Sequence, residues 1–207
     1  MIRGIGFTAK MAQYFLKEDT MNQTIEIIES RRSVRQYEQK QIPKNILLEI
    51  INAGNLAPSG CNAQEWRFVV IQDETTRKKL ASLAMPRYKK WIQNASDGLK
   101  TMREDIDASS DDPVYYSAPT IVFVIGRGMT GPLDCPMVCQ NIMLAARSLD
   151  IGSCWVFFGQ LILDDEEARK MLELKNDEKV YGPILLGYPK KGFPESPEKK
   201  IPVIKWI

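Results

Sequence analysis

The stretch APSGCNAQEWRFVVI, residues 57–71, carries the most information about this chain. Its first half consists mainly of the small, amide and glycine residues that form turns. Its second half, Trp66 to Ile71, is the apolar and β-branched run of a buried strand. The side-chain amides of Asn62 and Gln64 can donate and accept hydrogen bonds along the edge of a heteroaromatic ring, although such a loop is otherwise merely a turn. The stretch therefore predicts a loop that leads into the first strand of a sheet.

A cluster of arginines lies upstream of this loop, between two predicted helices. The first helix is short and has a polar cap at Asn22, and the second opens at Pro43. Between them, RRSVR at residues 31–35 places three guanidinium groups around the hydroxyl of Ser33, which suits a phosphate monoester. The plainer interpretation is a solvated helix end whose positive charges complement the helix dipole.

Helices and strands are predicted to alternate through the rest of the chain. Helical signals are a cap at Asp73, an apolar periodicity from Leu133 to Leu149, and a capping box Asp164-x-x-Glu167 that opens a helix to Leu172. Strand signals are the apolar runs Thr120 to Ile125, Ser153 to Phe158 and Val180 to Leu186.

Two segments lack a regular pattern. Residues Met85 to Asp112 predict a loop or a mobile lid, within which Tyr88 and Trp91 are interpreted as packing residues. The tail ends in Val203 to Ile207, a strand-like segment with no hairpin partner nearby, and we expect it to pair with another chain.

Composition narrows the class of protein. The chain has 207 residues, of which 44% are hydrophobic and 26% charged, and this predicts one globular domain over 21–207 after a leader of unclear structure at 1–20. No apolar run approaches the roughly 18–20 residues of a membrane span, so a cytoplasmic protein without a membrane partner is expected. The chain has 28 Lys+Arg and 26 Asp+Glu, so its net charge of +2 creates no strong electrostatic field. This argues against nucleic acid as a partner.

The chain contains no histidine, which removes histidine general bases and every imidazole metal site. Four cysteines form no disulfide scaffold and no zinc motif, so no metal site is expected. Any chemistry must come from carboxylates, lysines, tyrosines or a bound cofactor.

In this order, the segments resemble the nitroreductase family of flavoproteins, from about Thr24 to the C-terminus. The landmarks are Arg31-Arg32-Ser33-Val34-Arg35, the loop of residues 57–66, Asp134 with Gln140-Asn141, Gly152-Ser153-Cys154-Trp155, and Gly187-Tyr188-Pro189. Three positions depart from the family pattern: Glu65 replaces a proline, Phe157-Phe158 replace frequent glycines, and Lys200 replaces a common arginine.

The resemblance implies an α+β fold with a central, mostly antiparallel sheet flanked by helices. It further implies an intertwined homodimer that exchanges its C-terminal strand and holds two FMN sites at the interface. The implied contacts at the FMN phosphate and ribityl chain are Arg31, Arg32, Ser33, Lys199 and Lys200. At the ring, the resemblance implies Arg35 at the N1/C2-carbonyl edge, Asn62 and Gln64 at the pyrimidine edge, and the backbone amides of Phe157 and Phe158 near N5 and O4. The neighbouring subunit is implied to contribute Pro58, Ser59 and Gly60.

The resemblance also implies the reaction. FMN would take a hydride at N5 from NADH or NADPH and pass the electrons to a nitroaromatic or quinone-like acceptor in ping-pong order, with no catalytic residue from the protein itself. Relatives of the same fold that dehalogenate tyrosines, destroy the flavin or act as dehydrogenases remain alternatives. A non-catalytic regulator that binds flavin or another anion is an alternative of a different class.

Overall fold

The computed structural model describes residues 22–108 and 110–207, and gives only the backbone of residues 105–108. The predicted leader at 1–20 lies outside the described residues. The boundary of the expected single domain, 21–207, stays a prediction.

Five strands form one antiparallel sheet within the described part of the chain. They are β1 (Trp66–Ile71), β2 (Thr120–Gly126), β3 (Gly152–Trp155), β4 (Lys179–Val180) and β5 (Ile184–Gly187). Hydrogen-bonded neighbours follow the order β1-β2-β5-β3, and β4 pairs with β2 beside this path. All four pairs are antiparallel, as the α+β prediction requires. Strands β1 and β3 consequently lie at the two opposite edges.

The helices are α1 (Gln23–Ser30), α2 (Lys44–Asn55), α3 (Glu74–Gln93), α4 (Asp97–Ala108), α5 (Gly131–Ser148) and α6 (Glu166–Met171). Side-chain caps fix where several of them begin. Asn22 accepts a hydrogen bond from the backbone N–H of Thr24 at 3.0 Å, and Asp73 accepts one from that of Thr76 at 2.7 Å. Both caps confirm the predicted helix starts. No helix of the described residues is both long and apolar enough to cross a membrane.

The sheet has a hydrophobic core on each face. Every residue of β2 is buried, and its side chains alternate between the two cores. Helices α2 and α5 cover one face, whereas α3 and the segment around Tyr115 cover the other. A strand covered on both faces reads as an uninterrupted apolar run, which is why β2 was predictable from sequence.

The prediction of an irregular loop at residues 85–112 is wrong for most of the segment, and a mobile lid there stays a prediction. Helix α3 continues through Pro86 to Gln93, and α4 begins four residues later. The helix persists because Leu80, Ala84 and Tyr88 share one buried face, so tertiary packing outweighs the cost of a proline within a helix. The packing role predicted for Tyr88 is confirmed, since it lies in the core, and Trp91 packs against the same core.

Smaller differences concern the ends of elements. Strand β3 ends at Trp155, so Phe157 and Phe158 do not extend it, and the run Val180 to Leu186 is split into β4 and β5. The cap of α6 is Asp165 rather than Asp164, because the Asp165 carboxylate accepts from the N–H of Ala168 at 3.0 Å. The tail segment Val203 to Ile207 forms no strand in the single chain and is exposed throughout.

Candidate functional site

The arginine cluster is attached to the β3 edge of the sheet. Beyond the end of α1, the backbone N–H of Val34 donates to the carbonyl of Ser153 at 2.9 Å. The N–H of Glu38 donates to the carbonyl of Tyr188, also at 2.9 Å. These bonds pin residues 33–38 beside β3 and the end of β5, so the side chains of 31–35 occupy fixed places at this edge.

A cavity of about 900 Å³ lies between this cluster and the C-terminal tail. Its polar lining consists of Glu29, Arg31, Arg32, Ser33, Arg35, Glu195, Ser196 and Lys199, so four cations face two carboxylates. Lys200 is exposed and is not part of the lining. The excess of cations and the hydroxyl groups favour an anion such as a phosphate monoester. The structure therefore brings five of the predicted contacts to one cavity, with Lys199 and not Lys200 from the tail.

Arg32 has a structural role in this cluster. Its Nη1 donates to the carbonyls of Glu29 and Arg31, at 2.5 Å and 2.6 Å, at the end of α1. Such contacts satisfy carbonyls that have no partner within the helix. The plainer interpretation of a helix-end cation thus holds for Arg32. Its buried Nε has no hydrogen-bond partner among the described residues.

A buried thiol lies directly behind the cluster. Burial raises the pKa of Cys154, while the positive charge of Arg35 and a hydrogen bond with Ser33 oppose that rise. The thiol is 2% exposed. Because the thiolate is the reactive form, this cysteine is a packing residue and not a nucleophile.

The loop at residues 57–66 has an unusual backbone. Cys61, Asn62 and Gln64 all have φ between 50° and 55°, a left-handed conformation that non-glycine residues rarely adopt. The loop is held by its own Ser59, whose Oγ accepts from the N–H of Gln64 at 3.1 Å. Such strain persists only where the surroundings enforce it, and it is concentrated at binding sites.

Helix α5 anchors this loop from below. The N–H of Gly60 donates to the buried carboxylate of Asp134 at 3.3–3.4 Å. A side chain at Gly60 would meet Thr130 at 2.8 Å, so only glycine allows this close approach. The sequence singled out Asp134 as a landmark but gave it no role; the structure shows that it positions the loop.

The loop and the arginine cluster lie at opposite edges of one sheet. The loop leads directly into β1, whereas the cluster is bound to β3. Three strand spacings separate these edges, which is about 14 Å. The loop residues predicted as contacts, Pro58, Ser59, Gly60, Asn62 and Gln64, are absent from the lining of the described cavity. A single chain therefore does not bring the two groups together.

The side chains of the two phenylalanines after β3, Phe157 and Phe158, lie in different environments. Phe158 is 8% exposed and lies in the core, whereas Phe157 is 50% exposed. Both rings contact Trp91 edge-on, at centroid distances of 4.9 Å and 6.3 Å, respectively. Phe157 precedes the short 3₁₀ turn Phe158–Gln160, and neither side chain lines the cavity. Of the pair, only Phe157 can present a ring face to a ligand.

Comparison with known proteins identifies the family and the fold of this chain. The model of the nitroreductase family matches residues 28–188, and the chain belongs to that family. A protein of Archaeoglobus fulgidus, provisionally named an NADH dehydrogenase/NAD(P)H nitroreductase, is 30% identical over 181 residues, which cover 86% of this chain and 94% of that protein.

The chain is also similar to a solved nitroreductase structure and to a second relative. The crystal structure of a nitroreductase with bound FMN from Bacteroides fragilis is 33% identical and has a TM-score of 0.72, covering 90% of this chain and 100% of that one. An iodotyrosine deiodinase of Thermotoga neapolitana is 22% identical over 184 residues, covering 87% of this chain and 96% of that protein. The predicted nitroreductase fold is confirmed, while exchange of the C-terminal strand stays a prediction.

Proposed function

We propose that this protein is an FMN-dependent oxidoreductase that uses NADH or NADPH to reduce nitroaromatic or quinone-like acceptors. The observation that carries the proposal is the cationic cavity at the β3 edge, built from the family's arginine–serine signature and the tail. The family membership and the similarity to an FMN-bound nitroreductase support it.

The residues of the cavity fit the phosphate end of FMN. Arg31, Ser33 and Lys199, which line the cavity, would supply donors to the phosphate, and Arg32 would add positive charge from the helix end. Ser33 pairs with Ser153 in β3, and Phe157 follows two residues after the end of that strand, so the two positions lie at most about 13 Å apart. This span suits a ligand with a phosphate at one end and a flat ring at the other. Bound FMN would supply reversible two-electron transfer between the donor and the acceptor.

The protein's own residues would orient the ring and adjust its charge. Arg35 would place a permanent positive charge at the N1/C2-carbonyl edge, where negative charge develops on reduction. The backbone N–H groups of Phe157 and Phe158 would face N5 and O4, while Asn62 and Gln64 would bind the pyrimidine edge. Because the cofactor would carry the redox chemistry, binding and electrostatics would be the protein's main contributions.

A complete site would require two copies of the chain. The loop that holds Asn62 and the cluster that holds Arg35 lie at opposite sheet edges, so a homodimer would bring one copy's loop to the other copy's cavity. Exposed apolar residues support such an interface. They include Met129, Leu133 and Met137 at the start of α5, and Ile201, Val203, Ile204, Trp206 and Ile207 in the tail.

Subunit complementation tests the shared site. Arg31→Ala removes a cavity contact, and Gly60→Val displaces the loop from Thr130. Each variant alone should bind FMN poorly and turn over slowly. Refolded together in equal amounts, they should regain up to about one quarter of wild-type activity, because half of the dimers are mixed and each mixed dimer has one intact site.

Each variant refolded with itself is the control, and circular dichroism reports whether both fold. If mixing recovers no more than the self-refolded variants, the two groups do not share a site across a dimer. If neither variant impairs FMN binding, the assignment of the cavity and loop to the cofactor is wrong.

A further inference from the structure

Arg103 on α4 is a buried arginine that the proposed reaction does not use. The residue is 8% exposed. Its Nε donates to the hydroxyl of Tyr88 at 3.1 Å, its Nη1 to the hydroxyl of Tyr116 at 3.0 Å, and its Nη2 to the carbonyl of Pro113 at 2.8 Å. A fully engaged planar guanidinium of this kind fixes the groups around it in both distance and orientation.

One contact leads from Arg103 to the arginine cluster. The ring of Tyr116 lies under the guanidinium of Arg35, with 5.9 Å between the guanidinium carbon and the ring centroid. Tyr116 is thus held at its hydroxyl by Arg103 and faces Arg35 with its ring. Its backbone has φ of 51°, and its N–H donates to the carbonyl of Asp112 at 2.8 Å, so the backbone of this tyrosine is fixed as well.

A second contact leads from Arg103 to the turn after β3. The guanidinium carbon lies 4.8 Å from the ring centroid of Phe158 and 5.2 Å from that of Tyr88. Phe158 opens the 3₁₀ turn whose backbone amides are proposed to meet the flavin ring. Arg103 therefore contacts, directly or through one residue, both elements that would face the ring from this chain.

We propose that Arg103 is a positioning residue of the cofactor site, which sets Arg35, through Tyr116, and the Phe158 turn at a fixed separation. This inference rests on the proposed function. It assigns to α4, where the sequence predicts a loop or lid, a supporting role for the residues that would hold the cofactor. Loss of Arg103 should leave Arg35 free to move away from the N1/C2-carbonyl edge, which weakens FMN binding and makes the bound flavin harder to reduce.

The test compares Arg103→Met and Tyr116→Phe with a matched control, Arg87→Met. Arg87 also joins two elements, through Asp164 and Asp165 at 3.3 Å and 3.0 Å, but it contacts neither Arg35 nor Phe158 in the described structure. The dissociation constant of FMN is measured by fluorescence quenching, the midpoint potential of bound FMN by dye equilibration, and stability by urea unfolding.

Arg103→Met should weaken FMN binding about tenfold and shift the midpoint potential to more negative values. Tyr116→Phe should change the FMN affinity and the midpoint potential in the same directions, but by smaller amounts than Arg103→Met, because it removes one hydroxyl and keeps the ring under Arg35. Arg87→Met should lower stability and leave FMN affinity and potential at wild-type values.

A purely structural role would give a different pattern. If Arg103→Met and Tyr116→Phe lose stability as Arg87→Met does, while FMN affinity and potential stay at wild-type values, the inference is overturned. Should Arg103→Met fail to fold, Tyr116→Phe decides alone. Wild-type protein that binds no FMN would refute the proposed function and this inference together, whereas normal wild-type binding with unaffected variants refutes the inference only.

Discussion

The pair Phe157 and Phe158 offers a controlled comparison, because two identical neighbours differ in burial. Phe158 is 8% exposed and contacts Tyr88, Trp91 and Phe157 edge-on, whereas Phe157 is 50% exposed. We expect Phe158→Ala to cost much more stability than Phe157→Ala. We also expect only Phe157→Ala to change the preference for acceptors.

The difference in stability follows from the buried areas. A phenylalanine side chain has about 200 Å² to bury, so about 180 Å² is lost at Phe158 and about 100 Å² at Phe157. At about 25 cal/mol per Å², the losses are about 4.5 kcal/mol and about 2.5 kcal/mol of unfolding free energy. Both are upper values, because the denatured chain already buries part of this surface.

Urea unfolding followed by circular dichroism measures both free energies, and steady-state rates with a bulky quinone and a small nitroaromatic compare the acceptors. Phe157→Ala should raise the relative rate with the bulky acceptor, because an exposed ring is removed beside the proposed flavin position. Equal losses of stability for the two variants would refute the burial argument. Unchanged acceptor preference in Phe157→Ala would refute the role of its ring at the site.

Two further predictions concern the ion pair at β1 and the tail lysines. The Glu178 carboxylate binds Arg67 through both oxygens at 2.7–2.8 Å, which lowers its pKa from 4.5 to about 2. Because the folded-state pKa is depressed, the pair stabilises the protein above about pH 4.5 and loses its effect as the pH falls toward 2. A pKa lowered from 4.5 to about 2 corresponds to about 3.4 kcal/mol, and solvent screening at Arg67, whose side chain is 31% exposed, reduces this to about 2 kcal/mol. Glu178→Gln should cost about that much at pH 7 and flatten the decline of stability between pH 5 and 2, and parallel stability–pH curves for variant and wild type would contradict this. Lys199→Ala should raise the FMN dissociation constant several-fold and Lys200→Ala should not, because Lys199 lines the cavity and Lys200 does not. A fluorescence titration with the opposite ranking would contradict this, and equal effects would favour the sequence-based prediction that both lysines contact the cofactor.

Sequence patterns predicted the elements whose signals are local. The apolar run of β2 and the cap at Asp73 each depend on a few adjacent residues, and both are found where they were expected. Helix α3 was missed because its continuation past Pro86 depends on packing of Tyr88 into a core assembled from distant parts of the chain.

The candidate site likewise has features that are local in the sequence and features that depend on contacts between distant residues. The motif at residues 31–35 is contiguous in the sequence and could therefore be recognised from it, and four of its five residues line one cavity in the structure. The contacts of Arg103 with Tyr116 and Phe158 left no pattern in the sequence, since 13 and 55 positions separate these partners from Arg103. The same holds for the opposite-edge positions of loop and cluster, which follow from strand order alone.

The central claim is that the chain holds FMN and passes electrons through it, and the absorption spectrum of the purified protein tests this directly. The account predicts a yellow protein, or one that takes up added FMN, whose flavin bands bleach with NADH or NADPH under anaerobic conditions and return when a nitroaromatic or quinone is added. Bound flavin that neither donor bleaches would indicate a binding protein without turnover. A colourless protein that takes up no FMN would contradict the account and the roles proposed for Arg31, Ser33 and Arg35.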